Sequence, residues 1–205
     1  MNASFDAIAD GLAEQGYAVI DQFLNDQEVG AILQHGDFND ARQRFKKAGI
    51  GKQQDAQINE AIRGDYIHWL DPQTASAPVK VYLHRLDELV KFLNQALFLS
   101  LKAAEVHLTV YPAGTYYKRH LDQFKKDDHR KLSIIFYLNE DWLPGHGGQL
   151  RMYLPEGEHD FLPLAGRLVC FRSDQIEHEV IAATRERLSI TGWILDREID
   201  AGQPL

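Results

Sequence analysis

The chain is short of cysteine, of long apolar runs and of positive charge. Cys170 is the only cysteine in 205 residues, so no disulfide can form within the chain. Set in the apolar run "RLVCF", it reads as a buried structural thiol in a reducing compartment. No stretch of 18 apolar residues exists, which excludes a membrane-spanning helix. The opening "MNASFDAIADGLAEQ" has no basic start and carries acids through its apolar part, so it is not read as a signal peptide. Against 30 acidic side chains stand 22 basic ones, a net charge of −8, which disfavours general binding to nucleic acid or anionic membranes. A cytoplasmic protein is expected.

What is present is ordinary for a globular protein: 44% hydrophobic and 25% charged residues, without repeats or low-complexity tracts. Residues 1–205 are expected to form one domain around one core. Residues 4–15 predict an amphipathic helix capped by Ser4, with Phe5, Ile8, Ala9 and Leu12 on one stripe. "YAVIDQFL" is β-rich. Asn25 or Asp26 then caps a second helix to about Leu33, and residues 85–98 predict a third. From residue 105 short β-type runs follow one another ("EVHLTVY", "KLSIIFYL", "GQLRMYL", "RLVCF", "HEVIA", "RLSITGWI"), separated by turn signals such as "PAG" and "LPGHGG". The expected fold is mainly β with flanking helices. It is a double-stranded β-helix (a jelly-roll, cupin-like core) over 105–195, with N-terminal helices from residues 1–104 packed on one sheet. The polar segment of about 36–62 reads as a long mobile loop of the kind that serves as a lid, or as a short helix and a plain surface excursion.

Four residues carry the chemistry. His120 and Asp122 flank Leu121 in "RHLD", His178 lies in "QIEHEV", and Arg187 opens "RLSITGW". Side chains at i and i+2 of a strand share a face, so His120 and Asp122 can meet one point. Two imidazoles and a carboxylate suit iron(II) and leave open positions for a co-substrate and oxygen. A His-x-Asp pair alone is a weak signal. The other histidines, His35, His68, His84, His107, His129, His146 and His159, read as surface, core or supporting residues. "HEVIAATRERLSITGWI" reads as a hairpin that sets His178 and Arg187 across from each other on paired strands. On its second strand Arg187, Ser189, Thr191 and Trp193 share a face, and Leu188, Ile190 and Ile194 face the core. An inward Arg calls for a carboxylate, which its fork grips in two places. Taken alone, Arg187 equally reads as a surface residue. Tyr137, on a strand apolar on both faces, needs a hydroxyl partner. Tyr111 shares a face with Thr109 and His107, and either tyrosine equally reads as a core residue.

With these residues placed, the chain resembles the prolyl-hydroxylase branch of the 2-oxoglutarate- and Fe(II)-dependent dioxygenases, within it the hypoxia-inducible-factor type and its bacterial relatives. The resemblance runs over roughly residues 60–195, through "RGDYIHWLD", "YPAGTYYKRHLD", "FYLNEDW", "GGQLRMYLPEG", "SDQIEHEV" and "RLSITGW". It implies His120, Asp122 and His178 as iron ligands and Arg187, with Tyr137, as the grip on the co-substrate's distal carboxylate. It also implies Tyr111 near the metal, Thr191, Ile135 and Leu150 as pocket walls, and Trp193 beside the substrate proline. Asp65 is expected to pair with Arg130 at the site entrance. The cofactors implied are Fe(II), 2-oxoglutarate and O2, with ascorbate as an optional reductant and succinate and CO2 as products. The partner implied is a protein or peptide presenting a proline, with no nucleic acid and no membrane. Two alternatives stay open: a hydroxylase of a free amino acid or small metabolite, and a non-catalytic cupin-like metal-binding sensor.

Overall fold

The computed structural model describes residues 3–40, 45–49, 61–123 and 128–198. Helix α1 (Ala3–Glu14) buries Phe5, Ile8, Ala9 and Leu12, the expected stripe. It begins at Ala3, so Ser4 lies inside its first turn. Gly16, at φ +81°, turns the chain into β1 (Tyr17–Ile20). Asn25 caps α2 (Asp26–Gln34) through a capping box, its side chain accepting from the Glu28 amide while the Glu28 carboxylate accepts from the Asn25 amide. A short α3 (Asp37–Asp40), β2 (Lys46–Lys47) and β3 (Tyr66–Trp69) follow. The rest of the segment expected to be a loop, 41–44 and 50–60, lies outside the described residues.

The third helix, α4 (Ala77–Leu97), starts eight residues before the expected 85. Val79, Val81 and Tyr82 mask its first turns as strand-like. The start signals are Ser76, whose hydroxyl accepts from the Val79 amide, and Pro78 in the first turn.

The remaining strands are β4 (Ala103–Tyr111), β5 (Tyr117–His120), β6 (Arg130–Tyr137), β7 (Leu150–Leu154), β8 (Gly157–Phe161), β9 (Leu168–Arg172), β10 (Glu177–Val180) and β11 (Arg187–Leu195). They form a seven-stranded sheet ordered β1-β9-β6-β11-β4-β3-β2 and a four-stranded sheet ordered β5-β10-β7-β8, and every strand pairing is antiparallel. This is the expected jelly-roll core with helices on one sheet. The N-terminal half is more than helical support, since β1, β2 and β3 extend the larger sheet.

Alternation along each strand sorts side chains between two cores. Leu108, Ile134, Phe136, Cys170, Ile190 and Ile194 face the helices and pack on Phe5, Leu86 and Leu93. Tyr111, Ile135, Tyr137, Leu150, Val169 and Phe171 face the space between the sheets. Cys170 is fully buried and burial pushes its thiol up to about 12, in keeping with a structural role. Gly192 lets β11 lie close to β4, because a Cβ there would sit 2.0 Å from the Glu105 carbonyl oxygen.

One expectation is overturned. His178 and Arg187 do not lie on a hairpin. Strand β10 has both edges occupied, by β5 and β7, and β11 has both edges occupied, by β4 and β6. The stretch between them crosses from the small sheet to the large one. The two residues therefore meet across the inter-sheet space.

Candidate active site

The two histidines are direct cross-strand partners, His178 on β10 opposite His120 on β5. Strand β5 ends at His120, and Asp122 sits in the bend beyond, not on the same strand as expected. Its carboxylate nonetheless comes back to the pair: Oδ1 is 3.4 Å from His120 Nε2 and Oδ2 is 3.6 Å from His178 Nε2. The ligand atoms of the three residues all lie within 4.8 Å of one another.

Backbone carbonyls set both imidazoles. His120 Nδ1 donates to the Lys118 carbonyl at 2.7 Å and His178 Nδ1 donates to the Ile176 carbonyl at 3.1 Å. A carbonyl can only accept, so each Nδ1 carries a proton, and each ring turns its Nε2 toward Asp122. The Ser133 hydroxyl donates to Asp122 Oδ2 at 2.6 Å and is itself 2.8 Å from the Ser173 hydroxyl. Burial opposes the Asp122 charge, but His178, His120 and Ser133 outweigh it and hold the carboxyl well below the usual range. Burial pushes His178 down to about 4, so its ring is neutral at pH 7. Two imidazoles and one carboxylate, with no fourth protein ligand in the cluster among the described residues, fit a divalent metal with open positions.

Across the pocket, Arg187 is 1% exposed. Its Nε donates to the Gly148 carbonyl at 3.0 Å and its Nη2 donates to Tyr137 Oη at 3.2 Å. Gly148, at φ +73°, admits this approach; a Cβ there would lie 2.8 Å from the Trp142 ring. Among the described residues no carboxylate lies within ion-pairing reach of Arg187. Burial raises the Tyr137 phenol, so it stays protonated. While accepting from Arg187 it still has an O–H to give. A buried cation without a counter-ion beside a spare hydroxyl donor is a receptor for an anionic oxygen group.

Tyr111, Ile135, Leu150, Thr191 and Trp193 line the same cavity as the His–Asp–His cluster and Arg187. Arg130 stands at the rim. Its guanidinium lies 3.4 Å over the Trp193 ring and pairs with Glu105 at 3.2 Å. The expected Asp65–Arg130 pair is not formed. Asp65 instead takes a bidentate grip from Arg63, two residues away on the same face of an extended stretch, at 2.7 and 2.6 Å.

Five lining residues were not assigned to the site from the sequence, Arg63, His107, Thr109, Tyr117 and Val180, and neither was Ser133 beside Asp122. His107 had a legible signal, because alternation along β4 already puts it beside Thr109 and Tyr111. It is 2% exposed, its Nδ1 is 2.8 Å from Thr109 Oγ1, and burial, then the Arg63 charge, push it down to about 3.

The model of the 2OG-Fe(II) oxygenase superfamily matches residues 106–195. A Caenorhabditis elegans hypoxia-inducible factor prolyl hydroxylase is 31% identical over 204 residues; the match takes in 91% of this chain and 27% of that protein, so the chain spans about a quarter of that relative's length. A Pseudomonas putida prolyl-4-hydroxylase superposes with a TM-score of 0.84 at 42% identity, covering 95% of this chain and 100% of the other. A Trichoplax adhaerens prolyl hydroxylase, solved with a peptide of the hypoxia-inducible factor oxygen degradation domain, superposes with a TM-score of 0.84 at 26% identity, over 94% and 89% of the two chains. By its matched core, its relatives and the metal-ready cluster between its sheets, the chain belongs to the 2OG-Fe(II) oxygenase superfamily, the 2-oxoglutarate-dependent dioxygenases with Fe(II) as their metal.

Proposed function

We propose that this chain is a protein prolyl hydroxylase, one oxygenase domain that adds oxygen to a proline of a protein or peptide substrate. The observation that carries the reading is the pairing, in one cavity, of the His120–Asp122–His178 cluster with a buried Arg187 that has no carboxylate of the described residues in ion-pairing reach. The printed functions of the nematode, bacterial and placozoan relatives, and the peptide bound to the last of them, support proline in a peptide as the target. A lone buried thiol supports a reducing, cytoplasmic setting, and among the described residues no helix is long and apolar enough to cross a membrane.

Each residue has a part. His120 and His178, through Nε2, and Asp122, through a carboxylate oxygen, would hold Fe(II). Arg187 and Tyr137 would hold the distal carboxylate of 2-oxoglutarate. Tyr111 would contact the co-substrate, while Ile135, Leu150 and Thr191 shape the wall and limit water. Trp193 receives the proline ring, with Arg130 stacked on it. Asp65 orders the entrance through Arg63. When bound, Fe(II), 2-oxoglutarate and O2 supply the oxidising chemistry, which leaves succinate, CO2 and a hydroxyl on the substrate. The chain contributes ligands, alignment and a dry cavity.

The test is mass spectrometry of proteins from a host lysate incubated with enzyme, Fe(II) and 2-oxoglutarate. Added oxygen on a proline is expected, absent from the Asp122→Ala control. Oxygen appearing only on free amino acids or other small molecules would move the reading to a metabolite hydroxylase.

A further inference from the structure

The two imidazoles of the cluster are not held equally. His178 is 4% exposed, sits on a strand paired on both sides, and rests against the Phe171 ring at 4.7 Å. His120 is the last residue of a four-residue strand, and its ladder to β10 has two registered pairs, His178↔His120 and Val180↔Tyr117, with an irregularity between them. That irregularity puts one extra residue into β5. In a regular strand Tyr117 and His120, three apart, would point to opposite faces. The bulge re-aims them to one side, and the two rings stack with centroids 3.6 Å apart and planes 17° from parallel.

Tyr117 is held in turn. An imidazole that close covers one face of the phenol, so the Arg63 guanidinium, 4.3 Å from the ring centroid, takes the other. Residues 62–64 run antiparallel beside β5: Arg63 bridges Tyr117, the Lys118 amide donates to the Ile62 carbonyl at 2.9 Å and the Gly64 amide donates to the Tyr116 carbonyl at 3.0 Å. Gly64 permits this approach, since a Cβ there would come within 2.7 Å of Thr115 Cβ. Arg63 is fixed at its head by the two Asp65 oxygens and by the Gly49 carbonyl at 3.3 Å.

We propose that Arg63 and Tyr117 are positioning residues for the metal site: a guanidinium–phenol–imidazole stack that holds the His120 ring in its ligating plane. The single Nδ1 hydrogen bond to Lys118 sets the direction of the His120 nitrogen axis but leaves the ring free to rock about it. The stacked phenol removes that freedom. The proposal rests on the reading of His120, Asp122 and His178 as metal ligands.

The test uses the full chain, freed of metal with a chelator and titrated with Mn(II), free Mn(II) being read by electron paramagnetic resonance. Tyr117→Phe keeps the ring face and is expected to bind like wild type. Tyr117→Leu keeps the bulk without the face and is expected to bind at least ~10-fold more weakly, in the range usual for partners that orient a metal ligand. Arg63→Lys keeps a cation beside Asp65 but cannot lie flat on the ring, and a smaller loss in the same direction is expected. The visible spectrum of the Co(II)-loaded protein should shift in Tyr117→Leu and not in Tyr117→Phe, a change that a purely structural role would not produce. Thermal unfolding of the metal-free forms checks the fold; should Tyr117→Leu not fold, Arg63→Lys decides. Wild-type affinity and an unchanged Co(II) spectrum in the folded variants, while His120→Ala loses Mn(II), overturns the stack and leaves the metal site standing. If His120→Ala binds like wild type, the metal-site reading falls, and the proposal with it.

Discussion

The Ser133 hydroxyl lies 2.6 Å from Asp122 Oδ2, on strand β6 of the large sheet, while both histidines of the cluster lie on the small one. The carboxylate is thus the point at which the two sheets jointly define the metal site. Ser133 is 1% exposed and is backed by the equally buried Ser173. Ser133→Ala removes the donor that fixes one carboxylate oxygen. Metal affinity is expected to fall by about 10- to 100-fold, the usual effect of losing a hydrogen bond to a metal ligand. Titration of the metal-free variant with Mn(II) measures it, and an unchanged affinity would show that the histidines alone position the aspartate.

Arg187 carries the second expectation. Arg187→Ala removes the cation that meets the far carboxylate of 2-oxoglutarate. Losing one member of a buried charge pair costs about 2–5 kcal/mol, so the apparent Michaelis constant for 2-oxoglutarate should rise roughly 30-fold or more. Steady-state kinetics on the folded variant checks this. Tyr137→Phe leaves the cation in place and should give a smaller rise in the same constant.

His107 makes stability depend on pH. Burial pushes its folded-state value down to about 3, below the ordinary value of 6.5. Between those two values the unfolded chain binds a proton that the folded chain refuses, so stability rises with pH across the window and is lost as pH falls through it. At roughly 1.4 kcal/mol per pH unit, the metal-free protein should lose about 2 kcal/mol between pH 7 and pH 5 from this group. His178, pushed down to about 4, adds a loss of the same sign. Urea unfolding at the two pH values measures the total, and His107→Asn should flatten the dependence. An equal slope in the variant would mean that His107 titrates freely.

Much of this was legible in the chain because strand alternation assigns faces. It put Arg187, Ser189, Thr191 and Trp193 together, set Tyr137 apart from Phe136, and placed Tyr111 beside His107. Alternation says nothing about which strand lies alongside. The short "AATRE" link between His178 and Arg187 looks like a hairpin turn, yet it bridges two sheets, because each strand has both edges taken by other strands. Partner choice among charges is hidden in the same way. Asp65 had both Arg63 and Arg130 available, and the nearer one on its own face won. The stack of Tyr117 on His120 was invisible for a further reason: it depends on one extra residue in a short strand, and a bulge leaves no periodic mark.

The most direct measurement of the central claim is succinate formation from 2-oxoglutarate with Fe(II) and O2, wild type against Asp122→Ala. Turnover by the wild type and none above background by the variant is predicted, with the variant's fold verified by circular dichroism. Asp122 has its oxygens 3.4 and 3.6 Å from the two imidazoles, so its loss should empty the site of metal. Undiminished turnover in that variant would contradict the metal centre and the account built on it.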